Sequence, residues 1–393
     1  MSLNPGRLAA ARALLDVEEG GRVEPRLEQV KGVDGALARH LAMGVLRHRC
    51  QLDALINPHV KGKLDRSVRS VLRIGAFELV SSRTATHAAV DQAVELTRRL
   101  RKGRASGLVN AVLRKVQGQE LPALPNHPDW IVKRWTERVG EQAALEWLAR
   151  LDEPSPLSVC LKDPSQGWPG GTPALVQGQP VPGVFHLRDA GRVPDLPGFD
   201  QGSFWVMDPA SAAVADLVGA APGMRVLDAC AAPGGKTMRL ASQGAEVTAT
   251  DRSKRRLHRL EENLERVQLT ARVCAQDWTR PCDLGLFDAV LVDAPCTSLG
   301  TTRRHPEVRW SRKPTDLLAM SLIQEQVLAG AAQQVAPGGV LVYAVCSPEP
   351  EEGSEQVAAF LAAHAGYVLE TELLTAPPAG DEDAFYAARM ARE

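Results

Sequence analysis

The chain predicts a multidomain protein with an all-α N-terminal domain, a small α+β subdomain in the middle, and a C-terminal α/β domain built on a parallel, doubly wound sheet. Three observations carry this. Apolar residues recur at helical spacing up to residue 116, proline and glycine crowd the stretch 152–202, and strand-like runs alternate with helix-length segments from Phe204 onward. At 393 residues the chain can bury more than one core.

The first domain, expected over 1–120, reads as consecutive amphipathic helices; Val109, Val112, Leu113 and Val116 form one apolar stripe at i, i+3, i+4, i+7. Pro122, Pro125 and Pro128 interrupt the pattern, so Gln117 to Pro128 reads as a linker. The middle subdomain is expected over 129–203. Asp129 is suited to cap a helix whose apolar set starts with Trp130, Val132 and Trp135 and continues through Leu145 and Leu148, and Leu157 to Leu161 fits a short strand. The third domain is expected over 204–393, with strands at Met224–Asp228, Glu246–Asp251, Phe287–Asp293 and Gly339–Ala344. Lys254–Val267 and Leu317–Val335 are long enough to be crossover helices between them.

Charge is balanced overall but not along the chain. Residues 1–120 hold 21 Lys and Arg against 12 Asp and Glu, an excess of nine bases, so the remainder carries an excess of ten acids. A basic module fused to an acidic one suits a polyanion partner, and an ordinary surface can also carry such a balance. The seven cysteines include no Cys-x-x-Cys pair, which points to reduced thiols rather than a disulfide framework or a zinc site, and no metal is expected. No apolar run is long enough to span a membrane and the N-terminus lacks a signal-peptide pattern, so a cytoplasmic protein is expected.

The loop Asp228-Ala-Cys-Ala-Ala-Pro-Gly-Gly-Lys-Thr follows the first strand of the third domain and leads into a helix, where glycines let the backbone approach a ligand. Its Gly-Lys-Thr is not a phosphate loop, because Cys230 stands where that motif needs a glycine. Asp251 ends the next strand, where a carboxylate can accept ribose hydroxyls or simply cap a helix. Asp277 follows another short apolar run and fits either an adenine amino group or a surface turn. Two cysteines, Cys296 and Cys346, each sit just past a strand-like run, where ligands of such sheets bind. One thiol there can act as a covalent nucleophile and a second can help to resolve the adduct.

Taken together, Asp-Ala-Cys-Ala-Ala-Pro-Gly-Gly-Lys-Thr (228–237), Asp-Ala-Pro-Cys-Thr-Ser-Leu-Gly (293–300), Arg-Arg-His-Pro-Glu-Val-Arg-Trp (303–310) and Tyr-Ala-Val-Cys-Ser (343–347) closely resemble the RNA cytosine-5 methyltransferases of the RsmB/Nop2/Sun family. In the N-terminal part, the runs starting at Val71, His87 and Leu108 resemble the NusB-like RNA-binding domain of the RsmB-like branch. The resemblance implies a Rossmann-like methyltransferase domain, S-adenosyl-L-methionine as cofactor, and RNA as partner, specifically small-subunit ribosomal RNA. A monomer is expected.

It also implies roles. Cytosine C5 is a poor nucleophile, so a thiolate must first add to C6; Cys346 matches the family's nucleophile and Cys296 the cysteine of the release step. Ala231, Ala232, Pro233, Gly234, Gly235 and Lys236 match the cofactor loop, with Asp251, Asp277 and Asp293 completing the cofactor set; Asp293 is implied near the reacting cytosine or the methionine end. Arg303, Arg304 and His305 can lend positive potential to the thiolate or hold RNA phosphates, and a solvated basic loop accounts for them equally well. Val345, Gly353 and Met207 depart from the family pattern, which usually has Thr, Asn and Gln at these places. Two alternatives stand beside this reading. One is a catalytically impaired RNA-binding or ribosome-assembly factor on the same fold; the other is a methyltransferase acting on DNA cytosine or an exocyclic amine.

Overall fold

Helix formation begins at Asn4, whose side chain accepts a hydrogen bond from the Gly6 amide while Pro5 occupies the first helical position, where its missing N–H costs nothing. The computed structural model describes residues 3–81, 85–188, 190–376 and 380–393. It places α1 (Pro5–Glu18), α2 (Glu24–Leu27), α3 (Gly32–Arg47), α4 (Arg49–Ile56), α5 (Arg66–Ser81), α6 (Thr86–Arg99), α7 (Ser106–Val116), α8 (Asp129–Val139) and α9 (Glu141–Asp152) before the first strand. These helices and the returning segment Thr302–Arg312 form one compact unit, and Ser155–Thr301 with Lys313–Glu393 form a second.

The helical unit buries Leu41, Leu46, Leu52, Ile56, Leu72, Ile74 and Leu96, and the expected α7 stripe of Val109, Val112, Leu113 and Val116 lies wholly inside. Around residue 129 the helix differs from expectation. Pro128 is the cap residue, Asp129 is already helical and makes no capping bond, and the chain breaks at Gly140 into two helices. The buried set is accordingly Ile131, Trp135, Ala144, Trp147, Leu148 and Leu151, while Leu145 faces outward. Trp135 and Trp147 stack at 4.1 Å with an interplanar angle of 13°.

The returning segment is held by buried polar groups. Arg309, fully buried, donates to the Asp152 carboxylate and to the carbonyls of Leu151 (2.7 Å), Asn126 (3.1 Å) and Thr302 (3.3 Å). Trp310 donates its indole N–H to the Leu46 carbonyl at 2.8 Å, and the Arg49 guanidinium lies 4.6 Å from its ring centre.

The second unit starts with a four-stranded antiparallel sheet in the order β2-β3-β1-β4, made of β1 (Leu157–Leu161), β2 (Thr172–Val176), β3 (Gln179–Leu187) and β4 (Phe204–Val206). A seven-stranded sheet follows, from β5 (Arg225–Asp228), β6 (Glu246–Asp251), β7 (Arg272–Ala275), β8 (Phe287–Asp293), β9 (Val335–Val345), β10 (Tyr367–Leu374) and β11 (Tyr386–Arg392). Its order is β10-β11-β9-β8-β5-β6-β7. The five strands β9-β8-β5-β6-β7 run parallel, as expected, but β11 is antiparallel to both β9 and β10, so the sheet is mixed rather than wholly parallel.

Helices α10 (Pro209–Asp216), α11 (Gly235–Ser242), α12 (Lys254–Val267), α14 (Pro314–Ala332) and α15 (Ser354–Ala363) accompany this sheet; α13 (Val308–Ser311) belongs to the returning segment. No helix among the described residues is long and apolar enough to cross a membrane.

Because Arg309 neutralises a carboxylate inside the helical unit, Arg309→Ala strands Asp152 without a counter-ion. Urea unfolding of the full chain is expected to register a loss of roughly 3–5 kcal/mol.

Candidate active site

Parallel pairing puts the carboxyl ends of β5, β6, β7 and β8 on one edge of the sheet, and β5 is the switch strand, with β6 on one side and β8 on the other. Asp228, Asp251 and Asp293 end β5, β6 and β8, and Asp277 follows β7 by two residues. Asp228 is fully buried and accepts from the Thr237 hydroxyl at 2.7 Å; burial pushes its carboxyl up to about 7, and its Oδ1 has no hydrogen-bond partner among the described residues. Asp251 accepts from the Ser253 amide and pairs with Arg256 at 3.1 Å. Asp277 accepts from the Thr279 amide and hydroxyl, which hold it below the usual carboxylate range.

The glycine-rich loop turns tightly after β5. The Ala231 amide donates to Thr250 O at 2.8 Å, and the Ala232 and Pro233 carbonyls accept from Arg256 and Asn263. Gly234 has φ +108°, a conformation L side chains rarely adopt, and a Cβ there would come within 3.0 Å of Leu260. At Gly235 a Cβ would meet nothing nearer than 4.0 Å, so this backbone faces open space. Lys236, next in line, donates to Asp293 at 2.7 Å; burial alone would lower its ammonium, but Asp293 raises it above its ordinary value.

Cys296 and Cys346 lie 50 residues apart in sequence, and their Sγ atoms are 3.3 Å apart. The thiol proton binds the two unequally. Cys346 is lowered, first by the hydrogen bond from Cys296 and, against burial and Asp293, by the Ser298 hydroxyl and the Lys236 charge. Cys296 is raised, first by that same hydrogen bond, then by burial and by the negative charge of Cys346 and Glu352. The arrangement favours the thiolate at Cys346 and the thiol at Cys296. Ser298, with φ +62° and its hydroxyl 3.8 Å from the Cys296 sulfur, is a non-glycine residue held in the left-handed region beside the pair.

Behind the sulfurs stands a group that the sequence reading missed. Glu352 is fully buried, and its carboxylate accepts from the Thr297 amide (2.7 Å), the Thr297 hydroxyl (2.5 Å), the Ser347 hydroxyl (2.5 Å) and Gln324 Nε2 (3.1 Å). Its neighbours Pro348 to Gly353 read as a polar turn, and no local signal marks it as interior. The departure at Gly353 has a steric counterpart: a Cβ there would sit 2.9 Å from the Tyr386 ring.

Arg303, Arg304 and His305 fold with the helical unit rather than with the sheet. Arg303 is buried, directs Nε and Nη2 at the Glu153 and Pro154 carbonyls at 3.5 Å, and its own carbonyl accepts from Arg47 at 3.0 Å. His305 Nδ1 lies 3.5 Å from Glu24 and 3.7 Å from Glu307, carboxylates that push its pKa up to about 9. Glu24, His305 and Glu307 are a group with metal-ligand spacing among the described residues. Arg304 is half-buried. Burial raises the Cys230 thiol, consistent with a packing residue.

Residues 217–390 match the family described as 16S rRNA methyltransferase RsmB/F, and residues 4–118 match the NusB family. The ribosomal RNA small subunit methyltransferase B of Erwinia tasmaniensis is 34% identical over 428 residues, covering 98% of each chain, and that of Salmonella typhi is 33% identical over 421 residues, again covering 98% of each. The chain belongs to the RsmB/F family. Its fold agrees: the crystal structure of PH0851 covers 99% of both chains with a TM-score of 0.80 at 21% identity. The structure of NSun6 from Pyrococcus horikoshii with SFG covers 67% of this chain and 98% of that one, with a TM-score of 0.59 at 18% identity. As a member of the RsmB/F family the chain is a methyltransferase joined to a NusB-type helical domain.

In this RsmB/F-family chain the Cys296 thiol is the largest influence favouring the Cys346 thiolate, which predicts a pH effect. Cys346 is lowered, so its thiolate persists to lower pH than a free thiol's; Cys296→Ala removes the donor, and the pH midpoint for iodoacetamide alkylation of Cys346 should rise. Peptide mass mapping of the alkylated residue across a pH series checks it.

Proposed function

We propose that the chain methylates cytosine C5 in small-subunit ribosomal RNA, with S-adenosyl-L-methionine as methyl donor, through a covalent bond between Cys346 and cytosine C6. The 3.3 Å pairing of a thiolate-leaning Cys346 with a thiol-leaning Cys296 is the observation that carries this reading. The names and near-complete coverage of the relatives support the substrate.

The Cys346 thiolate attacks C6, and the C5–C6 π electrons move toward C5, which becomes nucleophilic. The cofactor supplies an electrophilic methyl group at C5. A base then takes the C5 proton, the electron pair reforms the C5–C6 double bond, and the C6–S bond breaks to return the thiolate. Cys296, lying against the Cys346 sulfur, is assigned to this release. Lys236 helps to hold Cys346 as its thiolate, while Asp293 fixes the Lys236 ammonium.

The cofactor is assigned to the carboxyl edge of β5, β6 and β7. The open backbone at Gly235 and the unpaired, buried Oδ1 of Asp228 both fit a polar ligand seated against the loop Ala231, Ala232, Pro233, Gly234, Gly235 and Lys236. Asp251 is assigned to ribose hydroxyls and Asp277 to the adenine amino group. Among the basic residues after Cys296, Arg304 and His305 keep exposed surface for RNA contact, whereas Arg303 braces the returning segment.

On unmodified ribosomal RNA, Cys346→Ala should abolish methylation and form no adduct. Cys296→Ala should accumulate a denaturant-resistant protein–RNA complex, visible as a gel shift; normal transfer by Cys346→Ala would sink the mechanism.

The helical unit is assigned to RNA binding. Arg99, Arg101 and Arg104 form an exposed basic run on it. Changing all three to Gln should weaken RNA binding and flatten the plot of log affinity against log salt by about 0.7 for each single-strand phosphate that is no longer neutralised.

A further inference from the structure

Two loops carry the reacting thiols, and beyond the sheet their backbones are joined where the Ala294 amide donates to the Ala344 carbonyl at 2.8 Å and the Gly300 amide to the Cys346 carbonyl at 3.1 Å. β8 stops at Asp293 and β9 at Val345, before either cysteine is reached. The sulfurs nevertheless meet, and the groups immediately following them converge on one side chain. Glu352 Oε1 accepts from the backbone amide of Thr297, the residue after Cys296, and Oε2 accepts from the hydroxyl of Ser347, the residue after Cys346. Thr297 Oγ1 adds a second bond to Oε2. We propose that Glu352 is a positioning residue whose carboxylate clamps the Cys296 loop to the Cys346 loop and so sets the separation and approach of the two sulfurs. The inference rests on the reading that these two thiols carry the reaction.

Three features argue for a dedicated clamp rather than incidental packing. First, all four donors are neutral and Thr297, Ser347 and Gln324 are completely buried with the carboxylate, an arrangement that is costly unless every oxygen is well bonded. Second, Gln324 Nε2 reaches both Glu352 Oε1 (3.1 Å) and the carbonyl of Pro295 (2.9 Å), so α14 anchors the clamp and the residue just before Cys296 with one amide. Third, the backbone at 352 is fixed separately, because Tyr343 donates its hydroxyl to the Glu352 carbonyl at 2.7 Å. The side chain can therefore be altered while this anchor of the turn remains. The same charge is one of the influences that keep Cys296 in its protonated form, after the hydrogen bond to Cys346, burial and the Cys346 charge. The carboxylate that holds the two loops thus also adds to the forces that keep Cys296 protonated.

The test uses the full chain. Glu352→Gln keeps the shape but removes the charge and turns an amide N–H2 toward donors, and Glu352→Asp keeps the charge on a shorter arm. A displacement of about 1 Å between reacting groups costs on the order of 100-fold in rate. Glu352→Gln should lose roughly that factor in kcat on unmodified small-subunit ribosomal RNA, with KM for RNA and cofactor affinity unchanged, while the donors it leaves unsatisfied lower the unfolding midpoint. The pH midpoint for Cys346 alkylation should rise as the Cys296 donor moves away, and Glu352→Asp should recover part of the rate.

Wild-type kcat with an unmoved alkylation profile would overturn the inference. So would a kcat loss matched by a fall in cofactor affinity and a rise in KM for RNA, which marks a structural role only. If Glu352→Gln fails to fold, Ser347→Ala decides: it removes one donor, and a kcat loss without change in KM supports the clamp, while no loss overturns it. Cys346→Ala separates the two levels. If that variant still methylates, the assignment of the thiols has failed; if it is inactive while Glu352→Gln behaves normally, the clamp alone is wrong.

Discussion

The parallel pairing of β8 with β9, in register from Ala289↔Val340 to Asp293↔Ala344, is the constraint on which the site depends. Two segments separated by 50 residues each leave the sheet at the same edge and at nearly the same level, which is what allows their cysteines to meet. A shift by one residue would reverse every side chain of β9 across the sheet and take Tyr343, whose hydroxyl anchors residue 352, to the wrong face. The antiparallel insertion of β11 beyond β9 reinforces this strand with a second ladder, so β9 is an interior strand with partners on both sides.

Chemical asymmetry is built onto that near-symmetric meeting of two thiols. Identical side chains at 3.3 Å would share a proton evenly in equal surroundings. Here the surroundings differ: Lys236 acts on Cys346, and Glu352 acts on Cys296. Lys236 does not stand as a lone cation, because Asp293 pairs with it and supports its charge in a buried setting. Such mixed environments push the proton affinities of like groups apart.

Much of this was legible in the linear pattern where residues sit inside on both faces or in a clear stripe. Strands ending at Asp251 and Asp293 and the helix Lys254–Val267, with Leu257, Leu260, Leu264 and Val267 on one side, occur where the pattern places them. The motifs around both cysteines were equally visible, since each lies just beyond an apolar strand. The antiparallel strands β10 and β11 were not, because β10 is an edge strand with Glu370 and Glu372 exposed and β11 carries Arg389 and Arg392. Glu352 was illegible for another reason: besides Ser347, five residues before it, its donors lie 55 and 28 residues away in sequence, while its own neighbourhood looks like a solvated turn. Arg303 illustrates the converse, a base in a run that reads as phosphate-holding or solvated and that instead directs its guanidinium at the carbonyls of residues 153 and 154.

The returning segment Thr302–Arg312 has a consequence for the order in which the protein is made. Asp152 and Arg309 are partners 157 residues apart, so the ribosome completes β1 through β8 before it delivers the guanidinium that Asp152 awaits. Until then the N-terminal helices are a nascent domain with an unneutralised carboxylate at one end and with the Leu46 carbonyl lacking its indole donor. Maturation of the first unit to emerge therefore waits on synthesis of the Ser155–Thr301 part of the second, and a product truncated before residue 309 would be defective in both.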